Sequence, residues 1–128
     1  MTERENFTLE GKKILIVEDE KSNYDLLRVI LKKYKPEIDW AQDGGQAIKK
    51  ARENAYDLIL MDLQLPIING LDATREIKQH KNEIPVIAQT AYAMTEDRQK
   101  AINAGCDDYI AKPMKRQHLL DLIEKHIL

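Results

Sequence analysis

The sequence predicts a doubly wound α/β domain, one parallel β-sheet with helices packed on both faces. Three observations predict it. Short apolar runs recur at residues 14–17, 58–61 and 84–88, with weaker ones at Glu37–Ala41 and Asp108–Ala111. Segments of helical period lie between them. The chain of 128 residues is long enough for one sizeable core and too short for two full domains.

Taken in order, residues 1–11 are polar and without pattern, a tail or the remnant of a linker, and the domain proper occupies residues 12–128. The run ILIV at 14–17 is continuous rather than alternating, which suits a strand buried on both faces. Ser22 is placed to cap a helix carrying Leu26, Leu27, Ile30 and Leu31. Asp43 precedes a helix with Ala47, Ile48 and Ala51, and helical spacing returns at residues 71–80 and 95–103, where Ala104-Gly105 reads as a stop. Arg116–Ile127 carries Leu119, Leu120, Ile123 and Ile127 as the last helix. Asn69-Gly70 and Asp43-Gly44 are hairpin dipeptides, but a helical pattern follows each, so the hairpin reading is rejected. Five strands alternating with five helices require right-handed crossovers. The strand order expected of so small a domain is 2-1-3-4-5, the flavodoxin-like arrangement.

Composition narrows the function. A net charge of -2, with 33% charged residues, offers no electrostatic footprint for nucleic acid or an anionic membrane. The single cysteine, Cys106, has no internal disulfide partner and reads as a buried thiol. No apolar run approaches the roughly 20 residues of a membrane span, and the start is too polar for a signal peptide. A cytoplasmic protein is expected. His80, His118 and His126 lie on separate helical stretches without metal-ligand spacing and are expected at the surface.

The chemistry sits at strand ends. In open α/β sheets ligands bind beyond the carboxyl ends of the strands, where strand order reverses, here between strands one and three. Strand one ends in Glu18-Asp19-Glu20 and strand three in Asp62, so like charges converge in one crevice. Such carboxylates either share a proton or hold a cation, and an all-oxygen, partly hydrated set suits Mg²⁺. Glu18, Asp19 and Asp62 are the candidate metal ligands. The fourth strand delivers the Thr90 hydroxyl and Ala91, whose small side chain lets a ligand approach the backbone. The fifth delivers Lys112, a point charge suited to a phosphoryl oxygen, with Pro113 fixing the turn that aims it; a cis bond there is possible. A carboxylate, a cation, a hydroxyl and an ammonium are the parts for moving a phosphoryl group onto Asp62.

Four stretches, ILIVEDE, LILMDLQLPIING, PVIAQTAYAM and GCDDYIAKPM, stand in this order over residues 12–127 and resemble the receiver domain of two-component response regulators. The resemblance implies that Asp62 takes a phosphoryl group from a phosphohistidine on a sensor histidine kinase or histidine phosphotransfer domain, with Mg²⁺ (or Mn²⁺) on Glu18, Asp19 and Asp62 and with Lys112 on the phosphoryl oxygens. It implies a switch in which Thr90 turns toward the phosphate and Tyr109 changes rotamer, altering the face of the fourth helix, fifth strand and fifth helix, where a homodimer would also form. Gln64, Ala91 and Tyr92 line the rim, and Gln64 and Tyr92 occupy positions that modulate phosphate lifetime. Such a domain is not an enzyme in the ordinary sense, although it catalyses its own phosphorylation and dephosphorylation. TAYAM and GCDDYIAKP look most like receivers that belong to or act with hybrid kinases, so either a single-domain regulator or a piece of a larger protein is expected.

Other readings fare worse. An aspartate-nucleophile phosphatase would carry a second Asp two residues after the first, where Gln64 stands. A mononucleotide binder would cradle phosphate with backbone amides, whereas Glu18-Asp19-Glu20 would repel it without a metal. Neither GxxxxGK[ST] nor GxGxxG occurs. A pseudo-receiver should lack one of the key residues, and all are present.

Overall fold

The computed structural model describes residues 7–91 and 95–127. Strands and helices alternate throughout: β1 (Lys13–Val17), α1 (Lys21–Lys32), β2 (Glu37–Ala41), α2 (Gly44–Glu53), β3 (Leu58–Asp62), α3 (Gly70–His80), β4 (Val86–Thr90), α4 (Thr95–Ala104), β5 (Asp108–Ala111) and α5 (Arg116–Ile127). The strands form one parallel sheet in the order β2-β1-β3-β4-β5, as the sequence predicts.

Side-chain alternation divides the core in two. On one face Ile14, Ile16, Leu58, Leu60, Ile87 and Ile110 pack under Leu27 and Leu31 of α1 and Leu119, Leu120 and Ile123 of α5. On the other, Leu15, Val17, Ile59, Met61, Val86 and Ala88 meet the small residues Ala47 and Ala51 of α2, Ala73 of α3 and Ala101 of α4. Burial on both faces explains why β1 and β3 read as unbroken apolar runs. Asp43 and Asn69 each accept a hydrogen bond from the backbone N–H three residues on, Gln46 and Asp72, so the two hairpin dipeptides are helix caps.

Four local expectations shift. Packing reaches back past Lys12: Phe7 and Leu9 are buried, the Leu9 N–H donates to the Tyr34 carbonyl at 2.7 Å, and the Phe7 and Tyr34 rings meet edge-on. Two isolated apolar letters carry no period, so only the tertiary contact reveals them. α1 starts at Lys21 with Glu20 at its N-cap, and Ser22 caps nothing. β4 runs Val86–Thr90 rather than 84–88, because Pro85 has no N–H for the ladder and the polar pair Gln89-Thr90 continues the strand. His126 is mostly buried and within 2.9 Å of Asp108. Burial alone would raise the Asp108 pKa, but hydrogen bonds from His126, the Tyr109 N–H and Lys125 outweigh it and hold it below the usual range.

Gly70 matters to the site. A Cβ there would collide with the Asp62 carbonyl oxygen and stand 2.7 Å from the Leu63 Cα, so only glycine lets α3 start against the end of β3. Gly70→Ala should lower the free energy of unfolding by about 1–3 kcal/mol, read as a shift of the urea midpoint; an unchanged midpoint would contradict this packing.

Candidate functional site

The parallel register aligns the acidic groups. Val17 pairs with Met61, so the next residues, Glu18 and Asp62, leave adjacent strands side by side. Both are buried, at 0% and 2% exposure, whereas Asp19 is exposed. One carboxylate oxygen from each of the three lies within 4.8 Å of the others. Lys112 reaches over from the end of β5, its Nζ 3.2 Å from Glu18 Oε1 and 3.3 Å from Asp62 Oδ2. Its backbone N–H donates to the Thr90 carbonyl at 2.7 Å, and its peptide bond to Pro113 is cis.

Burial, then the Asp62 charge, raises the Glu18 pKa to about 7 against the opposing pull of Lys112. Burial would lower the Lys112 pKa, but Asp62 and Glu18 more than reverse that and hold the ammonium charged. One ammonium thus touches two of the three carboxylates. Hard oxygen donors in this number and spacing, one of them open to solvent, suit a small divalent cation that keeps part of its water shell.

The rim is tied to the same groups. The Gln64 N–H donates to Asp62 Oδ1 at 3.0 Å, its Nε2 to Thr90 Oγ1 at 3.2 Å, and its Oε1 accepts from the Ala91 N–H at 3.4 Å. Gln64 therefore bridges the ends of β3 and β4. Thr90 is buried and Ala91 exposed; Tyr92 lies outside the described residues. Tyr109 stands partly buried on the other face of β5, with the Arg98 guanidinium 5.7 Å from its ring centre, so it is not part of the acidic crevice. Two residues were not singled out by sequence. Trp40 stacks on Tyr24 with ring centres 4.2 Å apart and donates its indole N–H to the Glu18 carbonyl at 2.8 Å. Gln89 pairs in register with Asp62 and is fully buried.

A sequence model of the response regulator receiver domain matches residues 14–124. The chain belongs to this family. The receiver is 44% identical over 113 residues to the autoinducer 2 sensor kinase/phosphatase LuxQ of Vibrio vulnificus, covering 88% of this chain and 13% of that protein. Against the histidine-protein kinase BarA of Escherichia coli the figures are 35% over 115 residues, 88% and 12%. The chain thus spans only a small fraction of these relatives. Among solved structures it is similar to the receiver domain of sensor histidine kinase PA1611 from Pseudomonas aeruginosa, described with magnesium coordinated in its active site cleft (TM-score 0.85, 38% identity, 91% of this chain and 97% of that one). It is also similar to the receiver domain of Saccharomyces cerevisiae Ssk1, solved with the histidine phosphotransfer protein Ypd1 (TM-score 0.86, 30% identity, 91% of this chain and 88% of the matched chain). The protein is a receiver domain of two-component signal transduction.

The raised Glu18 pKa has a definite sign. Between its ordinary 4.5 and about 7 the folded state holds a proton that the unfolded chain has released. This group's contribution to stability is fully present below 4.5 and is lost as the pH rises through about 7. A cation held by this cluster would compete with protons for Glu18, so any apparent Mg²⁺ affinity, followed by Trp40 fluorescence, should rise by up to about tenfold per pH unit toward neutrality and level off above it. A flat profile would contradict the assignment.

Proposed function

We propose that the receiver takes a phosphoryl group from a partner phosphohistidine onto Asp62, with Glu18, Asp19 and Asp62 holding Mg²⁺ or, in its place, Mn²⁺. A sensor histidine kinase or a histidine phosphotransfer domain is the donor. The observation that carries the reading is the contact of Lys112 Nζ with Asp62 Oδ2, 3.3 Å apart, in a crevice lined by three carboxylates. The magnesium described in the PA1611 receiver and the pairing of Ssk1 with Ypd1 support it.

In the transfer, an Asp62 carboxylate oxygen forms a bond to phosphorus as the P–N bond breaks; the electron pair stays on the imidazole nitrogen, which takes up a proton. Charge spreads over the phosphoryl oxygens in the transition state. When bound, the cation supplies Lewis-acid stabilisation of those oxygens. Lys112, already charged and tethered through its backbone to Thr90, meets them from the other side. The Gln64 N–H on Asp62 Oδ1 fixes which oxygen attacks. Water attack on phosphorus later breaks the P–O bond to Asp62 and resets the domain, so both steps are catalysed by the receiver itself.

The output follows from Thr90. Its hydroxyl accepts a hydrogen bond from Gln64 in the unmodified state and turns to the phosphoryl group after transfer, and Tyr109 follows by changing rotamer. The altered α4-β5-α5 face is the signalling surface and the surface for a homodimer. Nucleic acid and membrane are not direct partners in this reading.

Incubation with Mg²⁺ and a small-molecule phosphodonor should add one acid-labile phosphoryl group by intact mass, absent from Asp62→Asn. Lys112→Ala should slow the reaction by about 10²–10³-fold. A folded wild type that stays unmodified would overturn the reading in favour of a pseudo-receiver that only binds.

A further inference from the structure

Gln89 is the anomaly of the sheet. It lies next to the C-terminal end of β4, in register with Asp62, and by alternation it shares a face with Ile87 and the α1/α5 core. Glu18 follows Ile16, Asp62 follows Leu60 and Lys112 follows Ile110 by two residues each, so all four project from that same face. Register completes the row: Asp62 pairs with Gln89, and Gln89 pairs with Ile110. Among the described residues, Gln89 Nε2 and Oε1 are the buried side-chain polar atoms without a hydrogen-bond partner.

Burying a primary amide unpaired carries the full desolvation penalty of a donor and an acceptor. Leucine or methionine would fill the position without it. A polar group that breaks this rule beside a functional site points to a partner in another state of that site. Lys112 is that partner by position. Starting from β5, its side chain reaches over β4 to Asp62 on β3 and Glu18 on β1, and Gln89 is the β4 residue in register with Asp62. Adjacent strands are about 4.8 Å apart, within reach of a glutamine side chain. An ammonium has three N–H donors. Two face Glu18 and Asp62 here, and both of these acceptors are claimed when the site is loaded.

We propose that Gln89 is a positioning residue for Lys112: its side-chain carbonyl accepts an N–H of the ammonium once Glu18 and Asp62 are engaged by a cation and a phosphoryl group. This rests on the phosphoacceptor reading of Asp62. Gln89 touches neither donor nor phosphoryl group. It acts by holding the ammonium over the reacting oxygens after the two carboxylates have released it, with Nε2 turned toward the Asp62 side of the row.

Gln89→Met keeps the volume and removes the amide. In Mg²⁺ with phosphoramidate, its phosphorylation rate should fall about fivefold, the worth of one hydrogen bond made only in the loaded site. Its thermal midpoint without Mg²⁺ should hold or rise, because the orphaned amide is gone. In a Lys112→Ala background the same substitution should change the rate by less than about twofold. A Gln89→Met protein as fast as wild type, one that loses rate only in step with lost stability, or an undiminished effect without Lys112 would each overturn the role. If wild type itself takes no phosphoryl group, the Asp62 reading fails and this inference fails with it; if wild type reacts and Gln89→Met matches it, only the Gln89 role fails.

Discussion

The structure turns on one unbalanced charge cluster. Glu18 and Asp62 are buried side by side, and among the described residues Lys112 is the one cation that touches both. At about 4 Å and an effective dielectric near 20, each pairwise term is worth about 4 kcal/mol, so the repulsion between the carboxylates is of the same order as either attraction to the ammonium. Adding Asp19 at the rim, three carboxylates against one ammonium leave two negative charges. The raised pKa of Glu18 is the local response, a proton held where a charge is too costly. A divalent cation, as proposed for this site, would balance what the protein leaves unbalanced.

Such a cluster persists because the surrounding backbone cannot relax away from it. The two β-strands that present the buried carboxylates, β1 and β3, are almost fully and fully buried along their length, and strand pairing forces Glu18 and Asp62 to emerge together. Hydrogen bonds close the ends: Glu18 N–H to the Ala41 carbonyl, Trp40 to the Glu18 carbonyl, Leu63 N–H to the Gln89 carbonyl, and Lys112 N–H to the Thr90 carbonyl. Gly70 lets α3 begin against the Asp62 backbone, so the loop after the acceptor has little room to swing. The core supplies the free energy, and the strand ends hold the strain.

The strands and the acidic strand ends were legible because both rest on local chemistry, and the strand order followed from the topology rule for small doubly wound domains. Continuous apolar runs mark strands covered on two faces, and carboxylates following such runs land at the sheet edge whatever the details of the helices. Other features were hidden where chemistry is not local. Phe7 and Leu9 look like scattered letters in a polar tail and are buried only because Tyr34 and the α1/α5 face receive them. Trp40 reads as the end of a half-buried strand, and its bond to Glu18 exists only once β2 lies beside β1. Gln89 did leave a trace, a polar letter that interrupts PVIA before Thr90, but an apolar-run criterion ends the strand there and discards the signal. The polar residues that such a criterion cuts from a strand are the ones that line its functional edge.

Under the phosphoacceptor reading, the bonds around Thr90 would set how sharply the domain can switch. Its hydroxyl accepts a neutral hydrogen bond from the Gln64 amide, worth about 1 kcal/mol net. Under the phosphoacceptor reading, exchanging it for donation to a charged phosphoryl oxygen gains about as much again, since charge-assisted bonds are roughly twice as strong. A gain of about 1 kcal/mol moves an equilibrium only about fivefold. On that reading Thr90 by itself would bias the proposed output face without committing it. The remaining bias would then come from groups placed to sense the same event by other routes: Lys112, whose backbone is tied to Thr90, and Tyr109, which lies three residues before Lys112 under the Arg98 guanidinium. A partner bound to that face would supply the rest, and on this reading it would be part of the switch rather than its reader alone.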